Sequence, residues 1–229
     1  KLPKLPKSLD SLFACFCEIE DVSDIFENCL RITKICLSGN KLTNFPNESI
    51  KFPYLQILAL SQCELIRFPS EFLVNEELSC KIVKLDLSFN GINEIPPVFS
   101  APYMVDIDIS HNQLSSLPDF GKYQRLVVIK MSNNPISCHM SLAKNESLDS
   151  VDVTNTKIAQ INVVQSIREV LTTAHSLPSP FRQIRSNESG YAQCIGTHNI
   201  NQDSVSIRDD LNFYLLCDGH NGSVTATTV

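Results

Sequence analysis

Apolar residues recur along this chain in one fixed order, L-x-x-L-x-L-x-x-N-x-L-x-x-L, where L stands for Leu, Ile, Val, Met or Phe. The clearest copy is Leu85, Leu87, Asn90, Ile92 and Ile95, and the next is Ile107, Ile109, Asn112, Leu114 and Leu117. Ile35, Leu58, Ile129 and Val151 open the same strand motif in four further copies, so that neighbouring copies lie 22, 23 or 27 residues apart. Alternation within L-x-L is the period of a strand with one face turned inward, so each copy predicts a short strand. An interval of this length is too short for a domain and fits one coil of a stack. The asparagine at the centre of the pattern (Asn40, Asn90, Asn112 and Asn134) carries an amide that can bond the backbone of neighbouring coils where no strand ladder runs. Cys63 and Thr156 replace it in two copies.

This pattern resembles the leucine-rich repeat. The resemblance implies an α/β right-handed solenoid, with a curved parallel sheet on the concave side and a mostly irregular or short 3-10 convex side. An earlier unit is visible as Leu9, Leu12, Ala14, Cys17, Ile19 and Val22. Residues 1–165 are therefore read as about seven repeats. One repeat cannot bury its own apolar face and end units need caps, so residues 1 to about 10, which begin inside the array, are expected to fray.

The register also names the side chains that point away from the core. Between the two strand L positions stand Cys36, Ala59, Asp86, Asp108, Lys130 and Asp152; two residues earlier stand Lys34, Ile57, Lys84, Asp106, Val128 and Ser150. The middle and later repeats gather Asp86, Asp106, Asp108 and Asp152 around a lone Lys130, with Lys84 on the same face and Phe89 and His111 one column over. As a partner-binding concave face this reads as an acidic groove with an aromatic anchor, suited to a basic segment of a protein partner. The plainer reading is a solvated face that keeps the stack in solution. His111 and His139 read as surface histidines, since no second metal-ligand residue stands at suitable spacing.

Composition narrows these readings. The chain has 229 residues, a net charge of −6 and 19% charged residues, and the acidic balance argues against nucleic acid as a partner. No apolar run approaches the roughly 18 to 20 residues of a membrane span. Nine cysteines, an odd number, are spread through the repeats without a dense cap, which suits reduced thiols and a cytoplasmic location. Sequons at Asn47, Asn145, Asn187 and Asn221 would matter only in a secreted protein.

After Ile161 the signature stops. Residues 166–188 read as a cap and linker, with an amphipathic stretch in INVVQSIREVLTTAH and the prolines of SLPSPF behind it. Residues 189–229 differ in kind: an alternating strand, a second strand SVSI, a polar reversal at Arg208 to Asn212, and an apolar strand FYLLC that ends in Asp218-Gly219-His220. A carboxylate at a strand end, followed by glycine, is a common way to hold Mg²⁺ or Mn²⁺.

In this context the segment resembles the N-terminal edge of the metal-dependent protein serine/threonine phosphatases of type 2C. Gly196, His198, Gln202 and Asp203 fall on that family's Gly-x-Arg-x-x-x-Glu-Asp, and Asp218 to Gly222 fall on Asp-Gly-His-Gly-Gly. The resemblance implies a partial α/β phosphatase-like C-terminal segment in which Asp218, the Gly219 carbonyl and Asp203 are ligands of Mg²⁺ or Mn²⁺. It further implies His220 as general acid and His198 at the phosphate position. Gln202 is neutral where the family has an acid, and His198 lacks the fork of the family's arginine. The match covers about 40 residues, and a complete enzyme would need further aspartates beyond Val229. Three readings stay open: a repeat array that recruits substrate to such a phosphatase, a pure interaction scaffold, and a secreted recognition array.

Overall fold

The computed structural model describes residues 2–43, 52–69, 81–96, 101–142, 144–158, 161–162, 167–172, 191–194, 203–208 and 213–218. Its centre is one parallel sheet. The strands are β1 (Ser11–Phe13), β2 (Lys34–Cys36), β3 (Ile57–Ala59), β4 (Lys84–Asp86), β5 (Asp106–Asp108), β6 (Val128–Lys130), β8 (Ser150–Asp152), β10 (Glu169–Thr172) and β11 (Tyr191–Cys194). They lie side by side in that order as a nine-stranded sheet. Pairing runs without slippage, with Ile35, Leu58, Leu85, Ile107, Ile129, Val151 and Val170 as successive register partners. Each of these middle residues is almost wholly buried. Truncating any one of them, for instance Leu85→Ala, opens a cavity in a face that has no other filling and should cost about 2 to 5 kcal/mol.

Beyond the strands, backbone bonds continue the ladder from coil to coil. Phe16 N–H donates to Ser38 O, Gly39 to Ser61, Phe89 to Ser110 and His111 to Ser132, at 2.8 to 3.0 Å. The chain then turns through a left-handed residue in each coil: Phe16, Gly39, Gln62, Phe89, His111, Asn133 and Asn155 all have φ between 53° and 73°. Only Gly39 adopts this without strain, and there a β-carbon would also run into the Phe16 ring.

The asparagines fill the space behind that turn. Asn40 Nδ2 donates to Ala14 O and Leu37 O at 2.7 and 2.6 Å, while its Oδ1 accepts from the N–H of Cys17 and of Ile19 at 3.0 and 2.9 Å. Asn90, Asn112 and Asn134 repeat the arrangement, each donating back to the preceding coil and to its own. Cys63 substitutes with thiol contacts to Leu37 O and Ser61 O at 3.2 and 3.5 Å, and Thr156 with a hydroxyl that donates to Val153 O at 2.8 Å and accepts from Ile158 N–H at 3.5 Å.

The opposite side of each coil is short and mostly irregular among the described residues. It holds α1 (Ser23–Asn28) and a 3-10 turn at Phe120–Lys122. Beside it runs a small parallel pair, β7 (Met140–Ser141) with β9 (Ile161–Asn162). Asn145, one of the four sequons, is fully buried there; its Nδ2 donates to Phe120 O and Tyr123 O at 3.0 and 2.8 Å. In this fold it is a brace for the 3-10 turn, closed to a glycan. The other three sequons lie outside the described residues.

Two expectations change. The N-terminal residues, expected to fray, lay Leu2, Leu5 and Leu9 against the core, because apolar residues at those spacings cover the first coil. The array also runs past residue 165: β10 pairs parallel with β8, burying Ile167 and Val170, and β11 pairs parallel with β10. The stretch assigned to a cap thus contributes another strand. It hid because the last apolar place of its motif holds Thr172 and no asparagine follows. Farther on, β12 (Asp203–Arg208) and β13 (Phe213–Asp218) form an antiparallel pair, on the segments where the sequence predicts the second and third strands of residues 189–229.

Candidate protein-binding face

The outward side of the sheet falls into two regions. Over β4, β5, β6 and β8 it carries the charges named from the register, and most are already engaged. Lys84 Nζ lies 2.6 Å from Asp106, and Lys130 Nζ lies 3.7 Å from Asp108. The hydrogen bond to Asp106 raises the Lys84 pKa above its ordinary value. Asp86 accepts from the Ser88 hydroxyl at 2.7 Å and Asp108 from that of Ser110 at 2.6 Å; Asp152 is bonded by Thr154. These carboxylates also accept from the backbone N–H two residues on, so they fix the strand exits as well as facing solvent. Two of the four acids have a lysine beside them. The surplus negative charge is at Asp86 and Asp152.

Phe89 and His111 form the next column. Their rings stack at 3.9 Å with 12° between planes, and His111 Nε2 lies 3.0 Å from Asn133 Nδ2, which in turn neighbours Asn155. Phe89 is half exposed, so a stacked aromatic face is offered to a partner at the edge of the charged region.

Over β1, β2 and β3 the face is different, holding Phe13, Cys36, Ala59 and Ile57 with Phe16 at its edge. Phe13 is 71% and Phe16 69% exposed, the largest values among the exposed large apolar residues. Neither was singled out from sequence, although the register supplies both: Phe13 lies between Leu12 and Ala14, and Phe16 precedes Cys17 as Phe89 precedes Asn90. Beside them Cys15 Sγ and Cys36 Sγ are 2.9 Å apart, and burial together with that contact pushes the Cys15 thiol up to about 11. At neutral pH it is held protonated, which makes it a poor nucleophile.

The residues drawn from the phosphatase resemblance are placed in part. Asp203 opens β12 and Asp218 closes β13, and the two are register partners across the antiparallel pair. Gly219, His220, His198 and Gln202 lie outside the described residues. Among the described residues no group of three or more His, Cys, Asp or Glu could hold a metal ion, and no helix is long and apolar enough to cross a membrane.

A family model described as Leucine Rich Repeat matches residues 81–101, which contain β4 and the Asn90 turn. Among solved structures, a leucine-rich-repeat protein of Leptospira interrogans is similar over 86% of this chain, with a TM-score of 0.57 and 17% identity. The chain spans 60% of that protein's chain. No curated protein matches the sequence. Together with the sheet and the asparagine ladder, these define the fold as a leucine-rich-repeat solenoid.

Proposed function

We propose that this chain is the partner-binding array of a cytoplasmic signalling phosphatase of type 2C. Its strand face holds a protein partner or substrate for a metal-dependent serine/threonine phosphatase domain, of which residues 189–229 are the leading edge. The observation that supports the catalytic half is the antiparallel pair β12–β13, in which Asp203 and Asp218 are register partners. Aspartate at both register partners where a strand pair opens is a residue choice that suits a hard cation preferring oxygen ligands. Mg²⁺ or Mn²⁺ bound there would supply a Lewis acid and an activated water. Asp218, the Gly219 carbonyl and Asp203 would hold it; His220 would protonate the leaving oxygen, and His198 would contact the phosphate with less grip than a guanidinium.

For the recognition half, Asp86 and Asp152 offer uncompensated charge to a basic partner segment, and Phe89 stacked on His111 offers an anchor. The test is phosphate release from a phosphothreonine peptide by the protein of the complete reading frame, with Mn²⁺, with chelator, and with Asp218→Ala. Metal-dependent release lost in the variant is expected; release that survives Asp218→Ala, or none from folded protein, overturns the catalytic half.

A pure scaffold is the second reading, and one observation favours it. Strand β11, the first of the phosphatase-like segment, pairs parallel and in register with β10 as the next coil of the array would. In that case residues 191–194 extend the solenoid and the protein binds partners without turnover.

A further inference from the structure

The column that precedes each buried strand-entry residue carries a second pattern. In consecutive coils it reads Arg31, Tyr54, Lys81, Tyr103, Arg125, cation and aromatic in alternation. All five are exposed. The column is aligned by backbone bonds two residues on, where Gln56 N–H donates to Thr33 O, Val83 to Gln56, Val105 to Val83 and Val127 to Val105, each at 2.8 Å. Lys81 Nζ stands 5.6 Å from the Tyr54 ring centre and the Arg125 guanidinium 5.1 Å from that of Tyr103, so two of the three cations are braced over an aromatic face.

The contrast with the strand face decides what this stripe can do. There each lysine of the charged region, Lys84 and Lys130, already has an aspartate. On the flank, among the described residues, no carboxylate forms an ion pair with Arg31, Lys81 or Arg125. On a chain of net charge −6, Lys81 and Arg125 are thus free of any carboxylate among the described residues and held by a ring, in one line with Arg31. Cations held by a ring lose less freedom on meeting a ligand than free ones do.

We infer that this flank is a second docking surface, beyond the strand-face reading, for an extended acidic segment of a protein partner. Spacing selects the occupant. Neighbouring strands lie about 4.8 Å apart, so cations two coils apart repeat at roughly 10 Å, and one three-residue turn of a peptide in the extended polyproline-II conformation, which puts every third side chain on the same side, covers about 9 Å. Carboxylates at every third position would each meet a cation, with the tyrosine hydroxyls between them able to donate to the peptide backbone. The phosphates of a nucleic-acid strand repeat at a shorter interval and would meet the tyrosine positions as often as the cations.

The test is fluorescence anisotropy of the full chain with a labelled peptide carrying Glu at every third residue, beside its Gln counterpart and a single-stranded oligonucleotide of equal charge. Binding of the Glu peptide alone is expected, weakened about tenfold by Lys81→Glu with Arg125→Glu and by raised salt, and unchanged in Lys41→Gln, an exposed cation off the flank. If the double variant does not fold, Arg125→Gln and Tyr103→Ala take its place, each with a smaller loss. No binding of the Glu peptide, equal binding by the folded flank variants, or equal or tighter binding of the oligonucleotide overturns the inference.

Discussion

The coils with asparagine at the ladder position and those with cysteine reach the same path by different means. In an asparagine coil the turn contains one left-handed residue; His111 before Asn112 is an example, and the following Gln113 is not left-handed. In a cysteine coil two appear, Phe16 and Glu18 around Cys17, and Gln62 and Glu64 around Cys63. A thiol makes only weak bonds to one or two carbonyls, where an amide both donates to carbonyls and accepts from backbone N–H groups. The backbone around the cysteine therefore bends further, until two of its N–H groups converge on the asparagine of the next coil. Asn40 accepts from Cys17 and Ile19, and Asn90 from Cys63 and Leu65, whereas Asn112 and Asn134 each accept from one, Ile92 and Leu114. A weak ladder residue is thus served by its neighbour, and stability is shared unevenly along a regular array.

The largest effect should follow from removing that service. Asn40 and Asn134 are equally buried, at 2% exposure, which makes them a matched pair. Asn40→Ala strands two N–H groups and the Ala14 carbonyl, while Leu37 O keeps the Cys63 thiol; Asn134→Ala strands one N–H and the Met131 carbonyl, because Ile109 O keeps Asn112 Nδ2 and Ser132 O keeps the His111 N–H. With each unpaired buried group costing about 1 to 3 kcal/mol, Asn40→Ala should lose roughly 3 to 4 kcal/mol and Asn134→Ala about 1 less. Urea unfolding of the two variants measures it. Equal losses would mean that the second N–H finds water and that the cysteine coils lean on nothing.

A smaller effect, with a change of sign, isolates the extra left-handed residue. Glu64 has φ 59°, and a glycine there removes strain at the expense of a more flexible unfolded chain. Glu64→Gly should raise stability by about 0.5 to 1 kcal/mol, while Gln113→Gly, at the equivalent place in an asparagine coil, should lower it by about as much. Losses in both would show that the cysteine turn stores no strain.

Much of this fold could be read from the chain because it is carried by period. Strand positions such as Ile35 and Leu85, the outward columns and the asparagine ladder all follow from register, since a coil places each residue above its counterpart. What period does not carry stayed hidden. The second left-handed residue is a response of the backbone to a missing amide, and nothing at Glu18 or Glu64 announces it. Nothing in the sequon at Asn145 announces its structural part, because its bonds to Phe120 and Tyr123 reach more than twenty residues away in sequence. The acids of the strand face were legible as a list, but pairing of Lys84 with Asp106 and Lys130 with Asp108 depends on which side chains reach across a coil. The cation and aromatic column is as legible as the strand face, since the same register stacks Arg31, Tyr54, Lys81, Tyr103 and Arg125.

The smallest expected effect lies where the ladder is weakest after cysteine, in the Thr156 coil, whose hydroxyl donates to Val153 O and accepts only a long bond from Ile158 N–H, without reaching the preceding coil. There the next coil is tied by an ion pair, Arg168 with Asp149, beside the backbone bond from Arg168 N–H to Asp149 O. The Arg168 guanidinium holds the Asp149 carboxyl below its ordinary pKa of 3.8. A group whose pKa is depressed on folding contributes stability that is present above the unfolded value and lost as pH falls through the folded one. The contribution should therefore be complete at pH 5 and disappear between about pH 4 and the folded pKa. Both side chains meet solvent, so the change should be slight and screened by salt. Comparing urea midpoints of the protein and of Asp149→Asn from pH 5 downward reads it directly: the two should converge as the acid is protonated. If they stay parallel, the Thr156 coil is held by its backbone ladder alone, and the array tolerates a weak ladder residue without any side-chain substitute.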